Sequence, residues 1–237
     1  MKELLKLMQE RKSSRTPLDT NRPIAKEDLL QILEAARWAP TAHNMQNYEI
    51  IVVDDKKLLD SMGNIKRPIS ETFVRENYLQ LSFSEEELLR KKTGLLAAMF
   101  PPSWNNPDFR LDKNAKEESS MQRPLPVCPA MLFVVYDPAK RAPASEGDFL
   151  GALSLGCVME NMWLMANSLG ISFHIVSSLS SGPVEKEEKS ILHIPQNLNI
   201  AFPCRLGYPV SEPVKHLRVR RNIKDFTYFN KYVSKDL

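Results

Sequence analysis

From Phe149 to Leu169 the chain is apolar almost all the way round a helix, with Glu160 and Asn161 interrupting the run. A helix without a polar face is expected to be buried on every side. Gly170 follows as its natural stop, because a residue free to turn left-handed closes the last turn. The longest apolar region, about Phe149 to Ala166, is interrupted by Glu160 and Asn161 and too short to span a bilayer, so it reads as a core helix and no membrane partner is expected. Only about four strands are available to cover it. One of its faces is therefore expected to pack on a second copy of the chain, giving an obligate homodimer with a large apolar interface. At 237 residues the chain can bury a substantial core and need not divide into two domains.

The other elements follow from periodicity. Residues 3 to 10 set Leu4, Leu5, Leu7 and Met8 among charges and read as a short amphipathic helix. Lys26 to Trp38 is a second helix with Leu29, Leu30, Leu33 and Ala36 on one face, stopped by Pro40. Tyr48 to Val53 is a buried strand by length and β-branched content, followed by a short helix around Lys57 to Met62. Ala130 to Tyr136, Ser172 to Ser178 and Asn199 to Leu206 are further strands, and Pro203 in the last implies a bulge or an edge. Glu185 to Leu192 is a short charged helix. The order predicts a layered arrangement of helices on a sheet in one domain spanning 1–237.

Asn64 to Val127 differs in character, with six of the 17 prolines, charge of both signs and no strand signal. Ser84-Glu85-Glu86-Glu87 is a capping box that predicts a helix with Leu88, Leu95, Leu96 and Met99 on its apolar face, ending before Pro101. The segment reads as an insertion carrying one helix and forming a lid. Its Phe73, Tyr78, Phe83, Phe100, Trp104 and Phe109 either cover a ligand or pack the insertion onto the main body.

Composition narrows the function classes. The chain is 43% hydrophobic and 26% charged, as ordinary globular proteins are. Cys128, Cys157 and Cys204 stand far apart with no CxxC, which argues against a disulfide framework or a zinc site and for a reducing cytoplasm. The N-terminus interleaves charges with leucines and has no apolar signal core. The net charge is only +3, yet from Lys215 onward seven Lys or Arg face two Asp. With no nucleic-acid motif beside it, that basic tail points to a bound phosphate or a solvated face instead of nucleic acid.

Two short segments carry chemistry. Arg11-Lys12-Ser13-Ser14-Arg15 follows the first helix, and in extended chain Arg11, Ser13 and Arg15 share one side. Guanidinium forks and a hydroxyl suit a phosphate, although the same charges would also complement a helix C-terminus. Pro40-Thr41-Ala42-His43-Asn44-Met45-Gln46 links the second helix to the first strand. Asn44 and Gln46 offer both donors and acceptors, as a ring with alternating carbonyls and N–H groups requires. The plainer reading is a polar loop. No second ligand stands at a suitable spacing from His43, so no metal is expected. Neither a Ser-His-Asp, a Cys-His nor a paired-carboxylate arrangement can be read from the chain.

Arg-x-Ser-x-Arg followed about 25 residues on by Ala-Pro-Thr-Ala-x-Asn-x-Gln resembles the FMN-dependent nitroreductase family. Two later features agree with it. Gly151 to Ser178, with Glu160-Asn161-Met162-Trp163, resembles that family's central helix and following strand. Leu206-Gly207-Tyr208-Pro209 with Arg218-Val219-Arg220 resembles its closing Gly-Tyr-Pro and basic pair. Two departures stand out: Asn47-Tyr48 where the family often has Pro-Trp, and Ser177-Ser178 where it often has a Gly-containing turn.

The resemblance implies an α+β fold in three α/β/α layers, with a mixed, largely antiparallel central sheet flanked by helices, in an intertwined homodimer. It implies that Arg11 and Arg220 hold the FMN phosphate, with Lys12, Ser13 and Arg218 nearby and Arg15 at the pyrimidine edge. Pro40, Thr41, Ala42, Asn44 and Gln46 would come from the partner subunit, so that each FMN site is shared. Ile175, Ser177 and Ser178 would line the ring, with a backbone N–H near N5. The implied activity is a cytoplasmic oxidoreductase in which NADH or NADPH reduces the flavin and a small electron-poor acceptor, a nitroaromatic or quinone, then reoxidises it in ping-pong order. In that case no protein side chain need be catalytic, because the cofactor carries the redox chemistry. No GxGxxG accompanies it, and neither the nicotinamide preference nor the acceptor leaves a readable motif. Two alternatives stand beside this reading. One is a reductive dehalogenase resembling iodotyrosine deiodinase, for which Glu71, Glu76 and Tyr78 fall in the insertion. The other is a flavin-binding protein without turnover.

Overall fold

The computed structural model describes residues 2–14, 16–65, 81–97, 128–143, 147–179, 182–211 and 217–232. Among these residues the helices are α1 (Lys2–Glu10), α2 (Lys26–Arg37), α3 (Lys56–Gly63), α4 (Glu85–Lys91), α5 (Phe149–Ser168) and α6 (Gly182–Ile191). The strands are β1 (Glu49–Val53), β2 (Ser82–Phe83), β3 (Leu95–Leu96), β4 (Ala130–Tyr136), β5 (Ser172–Ile175) and β6 (Asn199–Gly207). Short 3₁₀ turns occupy Ala42–Asn44, Ser177–Leu179 and Ile223–Asp225. The chain forms two units, Met1–Arg67 with Pro124–Pro213 and Pro68–Arg123 with Val214–Leu237.

The first unit holds a four-stranded sheet in the order β1-β4-β6-β5, every neighbouring pair antiparallel. Its strand β4 is apolar along its length because both of its faces are covered, the pattern that doubly packed strands share. Ala130, Leu132 and Val134 join a core with Ile32 and Ala36 of α2 and Val158 and Met162 of α5. Met131, Phe133 and Val135 face a second core with Met62 of α3 and Val184 of α6. Helices thus lie on both sides of the sheet, the α/β/α layering and largely antiparallel pairing that the resemblance implied.

Pro203 sits inside the sheet, not at an edge. Its carbonyl accepts from the amide of Val176 at 3.0 Å, so its bare nitrogen also faces the β5 side, just past the last β5 residue. No bond to β4 is lost. The register shift opposite Val134 and Val135, which skips Ala201, supplies the bulge. β5 is shorter than predicted, because the chain leaves the ladder after Ile175 and tightens into the turn at Ser177.

Helix α5 departs from burial on every side. Val158, Met162, Trp163 and Ala166 form one buried stripe at helical spacing, facing α2 and the sheet. Phe149 and Leu153, at 72% and 51% exposed, lie off that stripe. By length and composition α5 is long and apolar enough to cross a membrane, contrary to the reading of the region as too short. Its stripe nevertheless packs into the sheet as a core helix does.

The second unit contains the capping box as read: Ser84 Oγ accepts from the Glu87 amide at 3.3 Å and Glu87 Oε2 from the Ser84 amide at 3.2 Å. The helix it opens is shorter than predicted. Lys92 turns left-handed at φ 57, and Leu95 and Leu96 form β3, parallel to β2. Gly94 follows at φ 94, where a side chain would strike the Leu81 carbonyl at 2.6 Å. That close approach requires glycine. Met99 lies outside the described residues.

Candidate functional site

The basic segment is fastened to the first unit at several points. At the end of α1 the Arg11 amide donates to the Leu7 carbonyl at 2.9 Å. The Arg11 guanidinium stacks on Trp163, 4.3 Å from the ring centroid, and its Nε meets Glu160 Oε1 at 3.4 Å. The Lys12 carbonyl accepts from Trp163 Nε1 at 3.2 Å, and its amide donates to Asn167 Oδ1 at 3.4 Å. Ser14 is buried. Its amide donates to the Phe173 carbonyl at 3.3 Å, which lays the segment along β5. Arg11, Lys12 and Ser13 therefore share one side of the unit with β5, which ends at Ile175 and leads into Ser177 and Ser178. Ile175 is half-buried against the core and Ser177 is exposed. Arg15 lies outside the described residues.

Beneath this segment lies a residue that the sequence reading passed over. Arg205 of β6 is fully buried and pairs in register with His174 of β5. Its Nε donates to His174 Nδ1 at 3.0 Å, and its Nη2 donates to the carbonyls of both Ser14 and Thr16 at 3.0 Å. The signal was present: an arginine between Cys204 and Leu206 in a strand that is otherwise apolar after Asn199. The charge also reaches Cys128. Burial raises that thiol to about 11, and Arg205 offsets part of the rise.

The Pro40–Gln46 turn is strained and well anchored. His43, Asn44 and Gln46 all adopt left-handed φ, at 51, 53 and 46. Each such non-glycine residue costs roughly 1–2 kcal/mol, least for Asn. Local bonds hold them there: Thr41 Oγ1 accepts from the Gln46 amide at 3.1 Å, and Asn44 Oδ1 from Gln46 Nε2 at 3.2 Å. The Ala42 amide donates to Ser154 Oγ of α5 at 2.9 Å. Asn47, where the family often has Pro, clamps the turn to the loop after β4. Its Nδ2 donates to the carbonyls of Asp137 and Lys140, and its Oδ1 accepts from the Asp137 amide. Tyr48 donates its hydroxyl proton to the Ala36 carbonyl at 3.1 Å. Burial and the nearby Glu49 raise its pKa. Pro40, Asn44 and Gln46 are exposed, and Thr41 and Ala42 are half-buried.

The two segments do not meet. The turn is fixed to α5 at Ser154, whereas Arg11 and Lys12 are fixed to it at Trp163. At a rise of 1.5 Å and 3.6 residues per turn, those positions stand about 14 Å apart along the axis and roughly half a turn apart around it. Thr41, Ala42 and Ser154 line a cavity of only about 30 Å³, room for little more than water. Glu10, Lys12, Ser14, Asn167 and Ser172 line a cleft of about 280 Å³, near the roughly 300 Å³ lower end of small-molecule sites.

Arg218 and Arg220 belong to the second unit, where both are exposed and Arg220 Nη1 donates to the Val219 carbonyl at 2.7 Å. Among the described residues no group of three or more His, Cys, Asp or Glu could hold a metal ion.

Comparison with known proteins bears on this geometry. The profile of the nitroreductase family matches residues 8–208. A protein of Archaeoglobus fulgidus named "Putative NADH dehydrogenase/NAD(P)H nitroreductase" is 44% identical over 63 residues, which cover 27% of this chain and 35% of that one. The match thus spans about a third of that relative's length. Among solved structures, a Bacteroides fragilis nitroreductase with bound FMN superposes with a TM-score of 0.60 at 19% identity, covering 97% of this chain and 99% of that one. An FMN-bound nitroreductase of Desulfitobacterium hafniense gives 0.57 at 22%, covering 98% and 100%. Oxidized iodotyrosine deiodinase bound to FMN and 3-iodo-L-tyrosine gives 0.58 at 21%, covering 95% and 100%. At these identities the structures establish a shared fold.

Proposed function

The chain belongs to the nitroreductase family, and from that premise we propose that it is an FMN-dependent NAD(P)H oxidoreductase acting on electron-poor acceptors such as nitroaromatics or quinones. The observation that carries the proposal is the Arg11–Ser14 segment, a set of anion-binding side chains held against β5, of which Lys12 and Ser14 line a cleft of about 280 Å³. The donors suit a phosphate. Arg11 meets Glu160 through Nε, a nitrogen that a bidentate Nη1–Nη2 fork does not need. Bound FMN would supply two-electron transfer from a reduced nicotinamide to the acceptor in ping-pong order.

The chain's own residues would bind and orient it. Arg11, Lys12 and Ser13, with Arg218 and Arg220, would hold the phosphate. Arg15 would place positive charge at the pyrimidine edge, favouring the ring's reduced, more negative form. Ile175, Ser177 and Ser178 would flank the ring. Pro40, Thr41, Ala42, Asn44 and Gln46 would reach the flavin of a partner subunit, because in their own chain they face a different side of α5 from Arg11. A homodimer sealed through the open side of α5, in the cytoplasm, completes the reading.

A second reading, reductive dehalogenation, is favoured by the likeness to iodotyrosine deiodinase. Glu71, Glu76 and Tyr78, which would clamp an amino-acid substrate, lie outside the described residues, as do Phe73, Phe100, Trp104 and Phe109 of the proposed lid. One experiment separates these readings. The purified protein is expected to be yellow, to bleach anaerobically with NADH or NADPH, and to recover its colour with a nitroaromatic. Release of iodide from iodotyrosine by the reduced protein would favour the second reading. Bound flavin that neither nicotinamide reduces would indicate a binding protein, and failure to bind FMN on reconstitution would end the assignment.

A further inference from the structure

We propose that Arg205 is a positioning residue for the flavin phosphate: fully buried on strand β6, it presets the backbone that carries Arg11, Lys12 and Ser13. The proposal rests on the flavin reading and adds a residue that this reading does not contain.

A fully buried guanidinium loses its hydration, a cost that only well-formed hydrogen bonds offset. Arg205 directs its described bonds at neutral acceptors, His174 Nδ1 and the carbonyls of Ser14 and Thr16, all at 3.0 Å. Two of the three lie on the N-terminal segment, 191 and 189 residues away in sequence. Ser14 is thereby held through its carbonyl by Arg205 and through its amide by Phe173. Lys12 is held through its carbonyl by Trp163 and through its amide by Asn167. Ser13 stands between two residues fixed at both backbone groups. Donors set in place before the ligand arrives do not spend binding energy on ordering themselves. His174 completes the device. Its Nδ1 must be unprotonated to accept from Arg205 Nε, and this aims the terminal nitrogens at the segment.

The test titrates apo-protein with FMN and with riboflavin, which lacks the phosphate, in the wild type, Arg205→Met and Arg205→Lys. Loss of the clamp in Arg205→Met is expected to weaken FMN by about tenfold, the equivalent of one charge-assisted hydrogen bond, and riboflavin far less. Arg205→Lys, which keeps the charge and some donors, is expected to recover part of the loss. Equal weakening of both flavins, or no weakening of FMN in a folded Arg205→Met, overturns the proposal, since a merely structural role produces no phosphate selectivity. Should Arg205→Met fail to fold, Arg205→Lys decides together with trypsin cleavage of the apo-protein after Arg11 and Lys12. Faster cleavage with selective loss of FMN supports the clamp, and wild-type behaviour in both assays overturns it. A wild type that binds neither flavin brings down the flavin reading itself, an outcome distinct from all of these.

Discussion

Among the described residues the Arg11 side chain has two partners, Glu160 and the ring of Trp163, and neither is strong. The Glu160 carboxylate is 42% exposed, and such half-solvated pairs contribute about 0–1 kcal/mol. Arg11→Ala is therefore expected to leave the thermal midpoint nearly unchanged while weakening FMN by roughly 1.5–3 kcal/mol, about ten- to a hundredfold. Equilibrium dialysis decides, and full flavin retention would rule Arg11 out of the phosphate site. The buried thiols give a second expectation. Burial raises Cys128 from 9.0 to about 11, and it raises Cys204 further. The folded chain thus holds these protons more tightly than the unfolded one. For Cys128 the stabilising effect is complete below pH 9.0 and is lost as pH rises through about 11, and for Cys204 the loss extends to higher pH. Each group steepens the decline by at most about 1.4 kcal/mol per pH unit, and the raised Tyr48 acts in the same direction. Urea unfolding at rising pH measures it, and Cys128→Ala should flatten the curve; an unaltered slope would contradict the assignment. Residue types marked Arg11, Ser13 and the Pro40–Gln46 turn as candidates, and only the family resemblance gave them roles. Arg205 was not marked, because its partners lie at the far end of the chain and a lone arginine in a strand does not say what it will meet.

Elements covered on both faces were the easiest to read. β4 was read with its observed limits, since seven apolar residues in a row have few other uses, and the capping box at Ser84 was read correctly because its two bonds are local. Where that helix ended was hidden, because nothing about lysine announces the left-handed conformation of Lys92. Pro203 implied a bulge or an edge, and the strand has the bulge, at Ala201, and no edge: composition cannot tell which side of a strand the missing N–H faces. Helix α5 was recognised as apolar all round, but one chain buries only a single stripe of it. That contrast can be measured. Met162→Ala, in the buried stripe, should cost about 2–5 kcal/mol in chemical unfolding. Leu153→Glu, on the open side, should leave a folded chain that elutes at monomer size. A dimer of unchanged size with Leu153→Glu would move the interface elsewhere.

For the whole molecule, the layering could be read from the order of elements and the antiparallel sheet from the family resemblance, and the joining of distant residues into one site could not. Helix α5 carries the Ala42 turn on one side and the Arg11 segment roughly half a turn away on the other. If each side serves a different flavin in a pair of chains, the cofactor and the second chain stabilise one another by mass action. The measured affinity for FMN would then depend on protein concentration, tightening where the chains are paired and weakening on dilution. Added FMN would in turn lower the concentration at which the pair falls apart. Fluorescence titrations of FMN at nanomolar and micromolar protein should give different dissociation constants. A single constant across that range would mean that each chain holds its flavin alone.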